Sequence, residues 1–200
     1  VQSSKLGLRG IRSSLRNLPQ MAVQICALMR AAAKGPLRVM FPMVTDVEDW
    51  DAAMEVVERC RQRLRERGVS FNEDTSFGVM LSVPSACLTA EEFVAHGCGF
   101  FVIGTNDLTQ YTHAVDRELA PAEHYYRPAS KAMKKLIRMV MDAAKQGSVP
   151  VTICGLAVGN PATQYLQLGL RSFSMSPQNL LEAKKALLEA DALPEEEELE

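Results

Sequence analysis

No stretch of this sequence is long and apolar enough to cross a bilayer. Its most hydrophobic segments, residues 23–33 and 149–154, fall well short of the about 20 residues that a spanning helix needs. No membrane partner is expected, and no secretory leader. The cysteines lack a pairing pattern: Cys26, Cys60, Cys87, Cys98 and Cys154 are odd in number and scattered, with no CxxC spacing. That argues against a disulfide framework or a zinc site and makes a reducing, cytoplasmic setting the expectation. Charge of one sign is lacking too. With 22 Lys+Arg against 24 Asp+Glu the net charge is −2, and no basic stripe carries interleaved aromatics, so nucleic acid is not an expected partner.

What is present describes a globular protein. Hydrophobic residues make up 47% and charged residues 23%, near the soluble average. The 200 residues suffice for a single domain that withdraws roughly 70% of its unfolded surface from water. The folded body is expected over residues 1–193, and the like-charged PEEEELE run at 194–200 reads as a solvated acidic tail. Because the chain starts at Val1 rather than Met, it reads as a fragment or a processed product.

Strand and helix patterns alternate. Met21, Ile25, Leu28, Met29 and Ala32 recur at helical spacing, with Pro19 in the first turn and Gly35 placed to cap the end. Residues 39–44 form a compact apolar run, followed by Thr45 and Glu48 at capping-box spacing. The helix they open carries Val47, Trp50, Met54, Val57 and Leu64 on one face and ends at Gly68. Further strands are expected at 77–83, 100–103, 149–154 and 172–175. Helices are expected from Ser130 to Gly147, from Asn160 and Pro161 to Gly169, and from Pro177 onward. Strands apolar throughout suit a parallel sheet covered by helices, so the fold class is α/β. Five strands are compatible with an open sheet or with about five later units of a (β/α)8 barrel.

In either architecture the ligand face lies where strands end, so the residues just after each apolar run carry the information. After Val83 comes Pro-Ser-Ala, after Ile103 comes Gly-Thr-Asn-Asp, after Ile153 come Cys154 and Gly155, and after Met175 come Ser176 and Pro177. Gly104 lets backbone approach a ligand, Thr105 and Asn106 can hydrogen-bond oxygens, and Asp107 can bind a hard cation. Each alone has a plain alternative. Asn106 and Asp107 suit a turn that bonds its own backbone, Arg117 a surface ion pair, and Cys154 a small buried hydrophobe.

The string GTNDLTQYTHAVDR at 104–117 resembles a loop of the phosphoenolpyruvate-utilising enzymes, and its ending is closest to the branch that phosphorylates a protein in bacterial sugar uptake. LGLRGIR at 6–12, LRVMFPMV at 37–44, ICG at 153–155 and FSMSP at 173–177 resemble further segments of that family, in the same order. The resemblance implies a (β/α)8 barrel that binds phosphoenolpyruvate and Mg²⁺, dimerises, and passes phosphate to a His on a separate domain or carrier protein. It implies that Arg9, Arg38 and Arg117 contact phosphate or carboxylate. Asn106 would help hold the substrate, Asp107 would bind the metal, and Cys154 would donate a proton. Arg38 stands at the start of its strand, the end remote from a barrel's active face.

The sequence also departs from that family. Ser82 stands where the family has a metal-binding Glu, and Leu156 where it has an acidic residue after CG, so metal binding is expected to be weak or lost. His96, His113 and His124 lack the Gly-rich context of a phosphate acceptor, and the early barrel strands are not among these residues. Two readings follow. One is the phosphoenolpyruvate-binding portion of a phosphotransferase; the other is a degenerate barrel of the same ancestry used for regulation or dimerisation.

Overall fold

The structure is a computed structural model that describes residues 5–118, 124–155 and 162–191. The tail at 194–200, Leu156, Asn160 and Pro161 lie outside the described residues. Five strands form one sheet: β1 (Arg38–Phe41), β2 (Ser76–Leu81), β3 (Phe101–Gly104), β4 (Val151–Cys154) and β5 (Phe173–Ser174). Every neighbouring pair is parallel and the strands lie in sequence order, with Val79 opposite Phe101 and Ile103 opposite Ile153. A doubly wound sheet reverses its strand order part-way; this one does not. Right-handed crossovers in unbroken order lay every helix on the same face, which is the arrangement of a barrel arc. The chain is thus α/β, with five consecutive β/α units of a (β/α)8-type barrel.

The helices are α1 (Ile11–Leu15), α2 (Leu18–Ala32), α3 (Val47–Glu66), α4 (Pro84–Leu88), α5 (Ala90–Ala95), α6 (Thr105–His113), α7 (Lys131–Gly147), α8 (Ala162–Leu166) and α9 (Pro177–Asp191). Alternate strand residues Phe77, Val79 and Leu81, with Phe101, Ile103 and Ile153, enter one core with Trp50 of α3, Phe93 of α5 and Ile137 of α7. The opposite pleat carries Met40, Ser76, Met80 and Thr152, which stay partly or fully exposed. The Trp50 indole donates to the His96 carbonyl at 3.0 Å and ties α3 to the end of α5. None of the three histidines is placed as an acceptor among the described contacts. His96 meets Asp51 at 3.0 Å, His113 meets the Thr109 carbonyl at 3.2 Å, and the His124 ring lies against Tyr125.

Several local expectations need correction. The cap of α3 is Asp46, which accepts from the Asp49 backbone N–H at 3.1 Å, while Asp49 reaches back to the Thr45 N–H at 3.0 Å; Thr45 and Glu48 do not pair. The capping logic holds one residue further along. α2 ends at Ala32 with Ala33 as its cap, so Gly35 lies beyond the turn. Gly147 does not stop α7 by its backbone freedom, since Ser148 takes the left-handed turn at φ 55. It is needed because a Cβ there would stand 2.1 Å from Val94 Cγ1 of α5. The segment expected as a loop after Gly104 is the helix α6, with Thr105, Leu108, Thr109 and Gln110 buried.

Candidate functional site

Gly10 sets the first half of the site. It takes φ 57, and a Cβ on it would lie 2.6 Å from the Pro42 carbonyl oxygen, so only glycine lets this segment press onto the end of β1. The Ile11 N–H then donates to that carbonyl at 2.9 Å. Arg9 is thereby aimed at α6, where its Nη2 meets Asp107 Oδ2 at 3.1 Å and its Nη1 donates to the Tyr111 hydroxyl at 3.3 Å. Asp107 and Tyr111 are four residues apart on one helix, which puts them on a shared face. The Tyr111 hydroxyl donates onward to the Lys5 carbonyl at 2.5 Å, and Lys5 pairs with Asp116 and, at 2.9 Å, with Glu118.

The second half joins β3 to β4. The Thr105 hydroxyl donates to the Cys154 carbonyl at 2.8 Å. With its amide turned to satisfy both neighbours, Asn106 donates to the Gly155 carbonyl at 2.7 Å and accepts from Arg117 Nη1 at 3.1 Å. The Tyr126 hydroxyl donates to the Asn106 carbonyl at 3.3 Å. Asn106, Arg117, Tyr126, Gly155, Met175, Ser176 and Asn179 line a hollow of about 410 Å³. Cys154 ends β4 beside it, and its thiol is pushed above the ordinary range, first by burial and then by the Asp107 carboxylate nearby. Such a thiol keeps its proton near neutral pH.

Five of the residues singled out in the sequence therefore gather at one end of the sheet: Arg9, Asn106, Asp107, Arg117 and Cys154. Arg38 does not join them. It begins β1 at the opposite end, with its guanidinium 5.7 Å from the centre of the Phe100 ring. Ser82 does reach the site end of β2 but is 1% exposed, and its hydroxyl faces only the Met43 sulfur, at 4.0 Å. Tyr111, Tyr126 and Asn179 were not foreseen. Tyr111 becomes legible once residues 105–113 are read as a helix; Tyr126 and Asn179 arrive from elements remote in sequence and carry no such signal.

Mg²⁺ is the group the family resemblance implies, and the described residues do not fit it. Asp107 is one carboxylate, already engaged by Arg9, and the Ser82 oxygen beneath is neutral and enclosed. No three His, Cys, Asp or Glu side chains gather to hold a metal ion among the described residues. Lys5 is matched by Asp116 and Glu118 and Arg9 by Asp107, so among these side chains the Arg117 guanidinium, bonded to the Asn106 amide, is the group placed to meet a small anion.

Comparisons with known proteins bear on the family and the fold. The family described as PEP-utilising enzyme, PEP-binding domain, matches residues 3–192. Phosphoenolpyruvate-protein phosphotransferase of Haemophilus influenzae is 40% identical over 184 residues, covering 91% of this chain and 32% of that protein. The proteins of the same name from Cupriavidus necator and Priestia megaterium are each 37% identical, over 92% and 94% of this chain. The chain spans about a third of the length of these curated relatives. Among solved structures, a citrate lyase from Burkholderia xenovorans superposes with a TM-score of 0.61 at 15% identity, covering 88% of this chain and 55% of that one. An HpcH/HpaI aldolase/citrate lyase family protein from Burkholderia cenocepacia follows at 0.54 and 17%, covering 84% and 70%. At these identities the likeness is one of fold.

Proposed function

The chain belongs to the PEP-utilising enzymes as their PEP-binding domain, and on that premise we propose that it binds phosphoenolpyruvate at the strand ends described above. It does so for a phosphotransferase that moves the phosphoryl group to a His on a separate domain and releases pyruvate. The observation that carries this reading is the meeting of Asn106 and Arg117 at one hollow, with Arg9 brought from a remote segment onto Asp107 of the same helix. Phosphoenolpyruvate is a compact polyanion, and guanidinium groups stay charged and clamp both phosphate and carboxylate with paired hydrogen bonds.

In this mechanism the bridging P–O bond breaks as the external imidazole nitrogen takes the phosphoryl group, and its electron pair stays on the enolate oxygen. Arg9, Arg117 and the Asn106 amide meet that charge in a partly enclosed site. The methylene carbon of the enolate takes a proton from the Cys154 thiol, which yields pyruvate, and solvent later restores the thiol. Asp107 orients Arg9, and no step runs through Mg²⁺. The setting that goes with this reading is a cytoplasmic, homodimeric phosphotransferase of sugar uptake.

The test is a melting curve of the chain with phosphoenolpyruvate. At a hundred-fold excess over its dissociation constant a ligand adds about 2.7 kcal/mol to stability, so Tm should rise, and Arg117→Ala should remove the rise. Absence of both a shift and a calorimetric binding signal at millimolar substrate would overturn the reading. The degenerate-barrel reading, a barrel used for regulation or dimerisation, draws its support from Ser82 and from Asp107 being already paired; it predicts weak binding or none at millimolar phosphoenolpyruvate, with Ser82→Glu restoring a shift.

A further inference from the structure

Scattered spacing hides one cysteine pair. Cys26 lies on α2 and Cys60 on α3, and the two helices pack against each other. Cys60 is buried at 2% exposure, and its thiol donates to the Ala22 carbonyl at 3.5 Å, one turn before Cys26. Helical side chains lean toward the N-terminus, so the Cys26 side chain leans toward the Ala22 turn that the Cys60 thiol addresses, which brings the two cysteines to the same place between the helices. Cys26 is half-buried, so solvent reaches one member of the pair. The other three thiols stand apart in the structure: Cys87 is enclosed, Cys98 donates to the Phe100 carbonyl at 3.3 Å, and Cys154 sits at the strand ends.

We propose that Cys26 and Cys60 are a peroxide-sensitive dithiol that closes to a disulfide between α2 and α3. The half-buried Cys26 sulfur attacks a peroxide oxygen; the S–O bond forms, the O–O bond breaks, and the departing oxygen leaves as water with the Cys26 proton. The Cys60 sulfur then displaces the hydroxyl from Cys26; the S–S bond forms, the S–O bond breaks, and a second water leaves with the Cys60 proton. Two thiols are oxidised and one hydrogen peroxide is reduced. Burial, and after it the neighbouring Cys26, pushes the Cys60 thiol up to about 12 against the smaller pull of Arg63 and Arg59, so the second step is the slow one. The cross-link holds together the two helices packed behind β1, the strand whose end seats Gly10 and Arg9.

The test treats the full chain with a small excess of hydrogen peroxide and reads free thiols, intact mass and non-reducing peptide maps. Five free thiols should fall to three, the mass should drop by two hydrogens, and a Cys26–Cys60 peptide should appear and vanish with dithiothreitol. Tm should be higher in the oxidised chain than in the reduced one. Cys26→Ser, at a half-buried position, should abolish the cross-link while the melting curve of the reduced protein stays cooperative; Cys60→Ala should abolish it independently. A mass gain of two oxygens on Cys26 without a cross-link, a bridge between two chains, or a cross-link surviving in Cys26→Ser would each overturn the proposal.

Discussion

Gly155 holds φ +85, and a Cβ on it would come within 2.9 Å of both the Asn106 amide and the Thr105 hydroxyl. Gly155→Ala should therefore cost more than about 1 kcal/mol of stability through backbone strain. It should also weaken phosphoenolpyruvate binding, because Asn106 must yield, and calorimetry beside urea unfolding separates the two effects. Cys154 admits a test that needs no phosphoryl acceptor. If its thiol delivers a proton to the enolate, it also catalyses the reverse, exchange of deuterium into the methyl group of pyruvate. Cys154→Ala should lower that exchange by about 10²–10⁴-fold and leave phosphoenolpyruvate affinity within a factor of two. Equal exchange rates in both proteins would remove Cys154 from the mechanism.

Where α5 meets α7, the contact depends on the absence of a side chain. Gly147→Ala drives a methyl into Val94 at 2.1 Å and should destabilise by about 1–3 kcal/mol, and adding Val94→Ala should recover part of that loss in urea unfolding. The sequence made the long elements readable for the reasons this contact illustrates. α2, α3 and α7 carry a single apolar face over fifteen or more residues, so their periodicity is visible without any partner. α4 and α5 are five and six residues long, too short to display a period. α6 was hidden differently. Its Thr105, Asn106 and Thr109 favour turns, and helix formation is won by tertiary burial, with the Thr109 hydroxyl returned to the Thr105 carbonyl at 2.7 Å. The site was legible wherever a strand end placed its residues, as for Asn106, Asp107 and Cys154. At Arg38 the strand position already pointed to the opposite end of the sheet, where the side chain lies, against the role that the resemblance implied.

Across the molecule, four thiols are held up by burial: Cys60 and Cys87 to about 12, Cys98 to about 11, and Cys154 in the same direction, from an ordinary value of 9.0. The unfolded chain releases these protons first, so between pH 9.0 and about 12 the folded state binds more protons than the unfolded state. Stability is then fully present below pH 9.0 and falls as pH rises. The urea midpoint should therefore drop as pH rises from 9.0 to about 11, inside the window set by these shifts, and less in Cys87→Ala after its packing loss is subtracted. A midpoint indifferent to pH over that interval would mean that these thiols are open to water in the native state.

The sheet keeps its ladder inside the strands and gathers the candidate site's groups at and beyond their ends. The rim can consequently change while the frame keeps its register: Ser82 directly follows β2, whose pairing with β1 and β3 ends before it. Loss of chemistry and loss of folding are separate events in such a protein, and a lineage can pass through the first without risking the second.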